Sequence, residues 1–163
     1  MADEKVVSMN MNITVDDGSV RVPINNTFGD EIGVFYFRPT DIGIIDRYNR
    51  MIGKFDEITK PLEDVSITEN GEADEMASPE EIAALHEAES RLYAALDEMF
   101  GGNMAEAFFG KMHPFSPVNG SFYCENAIEA VGRFISKQFE TETDKMNKKV
   151  AKYTKGYKPG KTK

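Results

Sequence analysis

Ser78-Pro79-Glu80-Glu81 at one end and Gly101-Gly102 at the other bracket a stretch that reads as one helix. A capping serine, a proline at the first helical position and two acids at the positive end of the helix dipole form a start signal, and the glycines form a stop. Between them Ile82, Leu85, Leu92, Leu96 and Met99 recur at helical spacing. A second helix is predicted with Thr40 or Asp41 as its cap. It carries Ile44, Ile45, Tyr48, Met51, Ile52, Phe55 and Ile58 and closes at Pro61. A short apolar segment around Ala105, Phe108 and Phe109 precedes Met112-His113-Pro114-Phe115-Ser116-Pro117, whose two prolines force a loop. The last helix starts near Ser121 with Ile128, Val131, Phe134, Ile135 and Phe139, and Met146, Val150 and Tyr153 prolong its stripe.

Strands are expected only at the N-terminal end. Met9, Met11, Ile13 and Val15 alternate with polar residues, the period of a half-buried strand, and Asp17-Gly18 suits a two-residue type I′ turn. Val20, Val22 and Ile24 alternate on the return, which would set Val15 against Val20, Ile13 against Val22 and Met11 against Ile24. Pro23, which cannot donate to a ladder, places that return strand at a sheet edge or ends it there. Ile32 to Phe37, apolar throughout, predicts a third, buried strand. The fold class is α+β and mainly helical: an N-terminal β-hairpin plus a third short strand, packed with about four α-helices. Residues 1–8 form an N-terminal extension, 9–62 the strands and first helix, and 63–77 an acidic linker. Residues 78–144 are the helical part of the same domain, and 145–163 are a basic C-terminal tail.

A chain of 163 residues can bury one domain's core without staples, and its single cysteine, Cys124, excludes an internal disulfide. The longest apolar run, Ile32–Phe37, is far short of the ~20 residues that span a bilayer. Met1-Ala2-Asp3-Glu4-Lys5 lacks a signal peptide's basic start and apolar core. These features predict a cytoplasmic protein with no membrane partner.

Charge is divided sharply. Residues 1–144 hold 28 acids and 11 bases, a net −17, whereas 145–163 hold eight lysines and no acid. Eight acids and no base lie between Glu63 and Glu81. Glu69, Glu72, Asp74 and Glu75 are therefore candidates to attract Lys145, Lys148, Lys149, Lys152 and Lys155, within a subunit or between subunits. Between subunits, such a head-to-tail contact would self-associate into rings or spirals.

Catalytic patterns are lacking. Cys124 with His113 or His86 supplies residue types for a nucleophile and base but no recognised motif, and their spacing does not suit zinc. A calcium loop centred on Gly71 fails, because Ala77 stands where a glutamate is required. Gly101-Gly102-Asn103 lacks the spacing and the lysine of a phosphate loop and reads better as a helix stop. No catalytic, cofactor-binding or metal-binding residue is assigned. The tail lysines, interleaved with Tyr153 and Tyr157, could meet phosphates, but the tail has no arginine and the −17 body repels a polyanion, which disfavours nucleic acid. Protein binding is favoured instead. Nine methionines suit irregular apolar partners. Leu85, Leu92 and Met99 repeat at seven residues, though such a stripe is often simply core. With Phe108, Phe109, Met146, Val150 and Tyr153 they are the candidate partner-binding residues.

Two blocks carry a resemblance. Asn12-Ile13-Thr14-Val15-Asp16-Asp17-Gly18-Ser19-Val20-Arg21-Val22, followed by Phe37-Arg38-Pro39-Thr40-Asp41 leading into Asp46-Arg47-Tyr48-Asn49, resembles the tail assembly chaperones of long-tailed bacteriophages and prophages. Phe108-Phe109-Gly110-Lys111-Met112-His113-Pro114-Phe115-Ser116-Pro117-Val118-Asn119-Gly120 looks like a segment of siphophage proteins of Firmicutes encoded among tail genes. The resemblance implies a non-enzymatic protein that coats the long helical tape measure protein and helps recruit tail tube protein. A structural tail or connector subunit of the virion is the first alternative. A small nucleic-acid-binding regulator acting through the Lys-rich tail is the second.

Overall fold

The structure, a computed structural model, describes residues 11–64 and 78–156. The N-terminal extension, most of the acidic linker with Glu69, Glu72, Asp74 and Glu75, and the end of the basic tail lie outside the described residues. So do the side chains of Tyr153 and Lys155.

The fold is α+β and mainly helical. In chain order it runs β1 (Val20–Asn25), β2 (Glu31–Phe37), α1 (Gly43–Thr59) with a 3-10 turn (Lys60–Asp64), and α2 (Pro79–Phe100). Then follow α3 (Met104–Phe109), the two-residue strands β3 (Pro117–Val118) and β4 (Ser121–Phe122), and α4 (Tyr123–Gly156).

The hairpin is displaced from its expected place. Val20, Val22 and Ile24 pair not with Val15, Ile13 and Met11 but with Phe37, Phe35 and Gly33 of β2. Residues 11–19 form no strand, and Met11, Ile13 and Val15 stand exposed. Gly18 does take the left-handed conformation, but Asp16 and Asp17 bend the chain locally by accepting hydrogen bonds from the Gly18 and Ser19 amides. The working turn is Asn26–Asp30. There Asn26 Oδ1 accepts from the Phe28 and Asp30 amides at 2.9 Å each, and Gly29 supplies a positive φ.

Burial explains the choice of partner: Phe35 and Phe37 bring far more apolar surface to β1 than Ile13 and Val15 would. Their rings stack 4.1 Å apart and meet Phe100, Phe108 and Phe134 edge-on or tilted. β2 is buried on that one face only; Tyr36 points to solvent.

Both edges of this small sheet are managed. Asn103, just before α3, lays its side-chain amide along β2, accepting from the Tyr36 amide at 2.8 Å and donating to the Val34 carbonyl at 3.0 Å. It stands in for a third strand. The cross-strand partners of Tyr36 and Val34 are Arg21 and Pro23, whose backbone groups by antiparallel alternation face the outer edge. Pro23 has no N–H to offer there, which blunts the edge against further pairing. Asn103→Asp is expected to lower stability by about 2 kcal/mol, because a carboxylate keeps the acceptor but turns an oxygen onto the Val34 carbonyl. A reduced urea midpoint with unchanged m-value would show it.

The helix start at Ser78 forms as the sequence predicts. Ser78 Oγ accepts from the Glu81 amide at 3.1 Å, Glu81 reaches back to the Ser78 amide at 3.0 Å, and Gly101 closes α2 at φ 66°. α1 begins at Gly43 rather than directly after Asp41, yet Asp41 still serves it by accepting from the Gly43 amide at 2.9 Å. α1 and α2 lock together by reciprocal capping. Arg47 of α1 donates to the Met99 carbonyl near the end of α2, and Arg91 of α2 donates to the Glu57 carbonyl near the end of α1, both at 2.9 Å. Each cation thus sits at the negative end of the other helix. Hydrogen bonding to Arg47 and to the Gly43 amide holds the Asp41 carboxyl below its usual range.

The Met-His-Pro-Phe block is a helix-capping loop. Pro114 and Phe115 are buried, and the Pro114 and Ser116 carbonyls accept from the Cys124 and Tyr123 amides at 2.8 Å, satisfying donors at the start of α4. Asn119-Gly120, both at positive φ, turns β3 into β4 immediately before α4.

Candidate protein-binding groove

α1 carries two apolar stripes. Ile44, Met51 and Ile58 face the core, whereas Ile45, Tyr48 and Ile52 are 57, 40 and 50% exposed on an adjoining line. Tyr48, Ile52 and the half-buried Phe55 form one wall of an open groove of about 930 Å³, with Met51 at its base. The opposite wall is α4, which contributes Ile128, Gly132 and Ser136. Nothing lies within 4 Å of where a Gly132 side chain would begin, so this mid-helix glycine meets no need of the chain's own packing. It costs helix stability relative to alanine, about 0.5–1 kcal/mol, and leaves room for another backbone to approach.

The groove is rimmed by Asp56, Glu125, Glu129 and Glu140 against Arg133 and Lys137. Arg133 is already engaged by Glu129 at 2.7 Å. The rim is therefore net acidic over an apolar floor.

Beyond the groove α4 continues as a projection. From residue 143 to 152 every side chain described is exposed. At 1.5 Å per residue, 143–156 extend about 20 Å past the body. Met146 and Val150, 65 and 60% exposed, continue the line of Ile128 and Ile135 along the helix, and Lys145, Lys148, Lys149 and Lys152 are exposed on the rest of its circumference.

The residues singled out from sequence divide accordingly. Leu92, Met99, Phe108 and Phe109 are buried, so in this fold they pack the interior and present no face to a partner, whereas Leu85 is only half-buried. Phe109 stacks on Tyr93 and meets Tyr123 edge-on, and the Tyr123 hydroxyl donates to the Phe108 carbonyl at 2.9 Å. Met146, Val150 and the tail lysines up to Lys152 do lie on the surface. Sequence reasoning placed Ile45, Tyr48 and Ile52 on the α1 stripe but not at an interface. The signal was present: that stripe is too wide for one buried face, spanning both i, i+7 and the adjoining line.

Cys124 is fully buried, and desolvation pushes its thiol up to about 12, which removes the thiolate a nucleophile needs. Among the described residues no group of three or more His, Cys, Asp or Glu could hold a metal ion, and no helix is long and apolar enough to cross a membrane.

His113 accepts the Phe115 amide at Nδ1, 3.1 Å, which leaves the proton on Nε2, and Nε2 lies 3.1 Å from Glu89 without hydrogen-bond alignment. Burial lowers its pKa, Glu89 opposes that shift, and His86 adds to it. Stability from a lowered histidine pKa is fully present above the unfolded value of ~6.5 and is lost as pH falls, since the unfolded chain takes the proton first. The urea midpoint is expected to drop between pH 7.5 and 5.5, and His113→Gln to flatten that dependence. Asp41 acts in a separate window, below about pH 4.

No protein-family model matches this chain, and no curated protein or solved structure matches it either.

Proposed function

We propose that this chain is a non-enzymatic tail assembly chaperone of a long-tailed bacteriophage or prophage, holding a helical tape measure protein and promoting tail tube assembly around it. The observation that carries the reading is the pair of exposed α1 side chains, Tyr48 and Ile52, that line the open α1–α4 groove. An open groove between two helices, with an apolar floor, accepts one amphipathic helix, read through anchors at three- and four-residue spacing. A long client built of such helices would offer many equivalent segments, and the acidic body would keep the loaded complex soluble. The resemblance of the N-terminal and Met-His-Pro-Phe blocks to phage tail proteins supports the choice of client.

The test is affinity capture of tagged protein from bacteria producing the phage, at about 0.5 M salt, where screening leaves mainly apolar contacts. A long helix-rich chain retained by the wild type and lost by Ile52→Asp, with this protein absent from purified virions, is the expected result. Presence in finished virions would make it a structural tail or connector subunit. Recovery of nucleic acid, lost when the tail lysines are substituted, would make it a regulator.

A further inference from the structure

We infer that two copies of this chain exchange strands, residues 11–15 of each pairing with the outer edge of β1 in the other. The inference does not rest on the functional reading above, and it leaves the α1–α4 groove open. It starts from a segment and an edge that fit each other but do not meet within one copy. Met11, Ile13 and Val15 are 76, 94 and 75% exposed, at alternate positions of residues that form no strand. Among the described residues β1 has one strand neighbour, β2. On its other edge stand the Arg21 N–H and C=O and the Pro23 C=O, so Pro23 withholds one donor and three groups remain to be paired. The inner face of β1 also borders unfilled space. A cavity of about 200 Å³ lies between it and α4, lined by Val22, Ile24, Phe35, Phe37, Val131 and Phe134. This cavity is on the far side of α4 from the groove, since Phe134 is two residues, about 200° of helix, from both Gly132 and Ser136.

The register follows from phase. Arg21 and Pro23 carry the outward backbone groups, so hydrogen-bonded pairs form at those two positions. Their partners must be even-numbered if Met11, Ile13 and Val15 are to share the inner face with Val20, Val22 and Ile24. Thr14 opposite Arg21 and Asn12 opposite Pro23 meet that condition, with two backbone bonds at the first pair and one at the second. Val15 then faces Val20, Ile13 faces Val22 and Met11 faces Ile24, the last two beside the cavity. The same pairing within one copy needs a return at Asp17-Gly18, and the chain does not make it. A type I′ turn requires positive φ at both residues, and of the two only Gly18 has it. The Ser19 amide, which the return would give to the Asp16 carbonyl, is donated to Asp17 Oδ1 at 3.0 Å, and Asp16 Oδ1 takes the Gly18 amide at 3.1 Å. The segment is thereby turned away from its own β1. Two copies close about a twofold axis at Asp17-Gly18, where the strands cross, with each segment and each edge used once. The Asp16 and Asp17 carboxylates of both copies meet there, partly offset by the Arg38 that lies 3.6 Å from Asp17 in each.

The test joins Ile13→Cys and Val22→Cys in the full chain under mild oxidation. Directly opposed residues of a non-hydrogen-bonded pair have Cα atoms about 4.5 Å apart, within disulfide reach. Cys124 is fully buried and takes no part. A covalent dimer on a non-reducing gel is expected, with a concentration-dependent monomer–dimer equilibrium of the wild type by light scattering. A disulfide closed within one chain would mean that the segment folds onto its own β1. A ladder of multimers would mean open, head-to-tail exchange. Either result overturns the inference, as do the absence of any disulfide and a wild type that stays monomeric at every concentration. Ile13→Asp gives an independent readout, because a side chain so exposed contributes nothing to the packing of its own subunit. It should weaken the dimer about thirtyfold or more, and an unchanged dimer would overturn the inference.

Discussion

Gly33→Ala is expected to destabilise the protein by about 3 kcal/mol, at the upper end of what overpacking a core costs. A methyl group there would begin 2.1 Å from the Ala107 carbonyl oxygen and 2.8 Å from its carbon. Both are backbone atoms of α3, so no rotamer change relieves the clash. β2 and α3 would have to part by about 1 Å to restore ordinary contact, and the Asn103 amide that bridges them would lose its fit to Val34 and Tyr36. The opposing gain, a stiffer unfolded chain, is only about 0.4–1 kcal/mol. For a chain of this length a net loss of about 3 kcal/mol lowers the melting temperature by roughly 6–12 °C. A melting point within 2 °C of wild type would show that α3 does not press on β2 in this way. Gly102 makes the same demand nearby, since a methyl group there would meet the Tyr36 carbonyl oxygen at 2.2 Å.

That close approach marks the boundary of what could be read from the sequence. Local signals were legible wherever a few neighbouring side chains decide the conformation. The Ser78–Glu81 capping box, the Gly101 stop and the two-proline loop are all of this kind. The hairpin was misplaced because two alternating segments competed for one partner. Periodicity and Asp17-Gly18 favoured Met11–Val15, but tertiary burial of Phe35 and Phe37 favoured β2. A pattern of period two shows that a segment can pair and not with what. Asn119-Gly120 is the reverse case, a strong turn pair whose strands are too short to show any alternation. The groove was half legible: both its helices were predicted, but not which of their stripes would face each other across open space. Asn103 gave no sequence signal at all, since its role exists only once α3 lies along β2.

Leu92→Ala and Ile52→Asp are expected to have opposite signatures, and together they separate the interior of this protein from its docking face. Leu92 lies on the heptad that suggested a partner surface, yet it is fully buried among the core residues. Truncating it removes a buried isobutyl group and leaves a cavity, a loss of about 2–5 kcal/mol, or a melting temperature lower by roughly 4–20 °C. Its effect on client capture, measured at a temperature where the variant is folded, should be negligible. Ile52 is half exposed on the groove wall. An aspartate there stays hydrated, and the stability change should remain within about 1 kcal/mol, the worth of the partial burial lost. In a filled groove the same carboxylate would be buried against an apolar client, and truncated or charged anchors at the centre of an interface commonly cost 2 kcal/mol or more, about thirtyfold in affinity. If Leu92→Ala instead spared stability and abolished capture, the heptad face would be the binding surface and α2 would have to swing out of the core to expose it. The reciprocal Arg47–Met99 and Arg91–Glu57 hydrogen bonds, which tie the C-terminal half of α2, including Leu92, to both ends of α1, argue against such a movement.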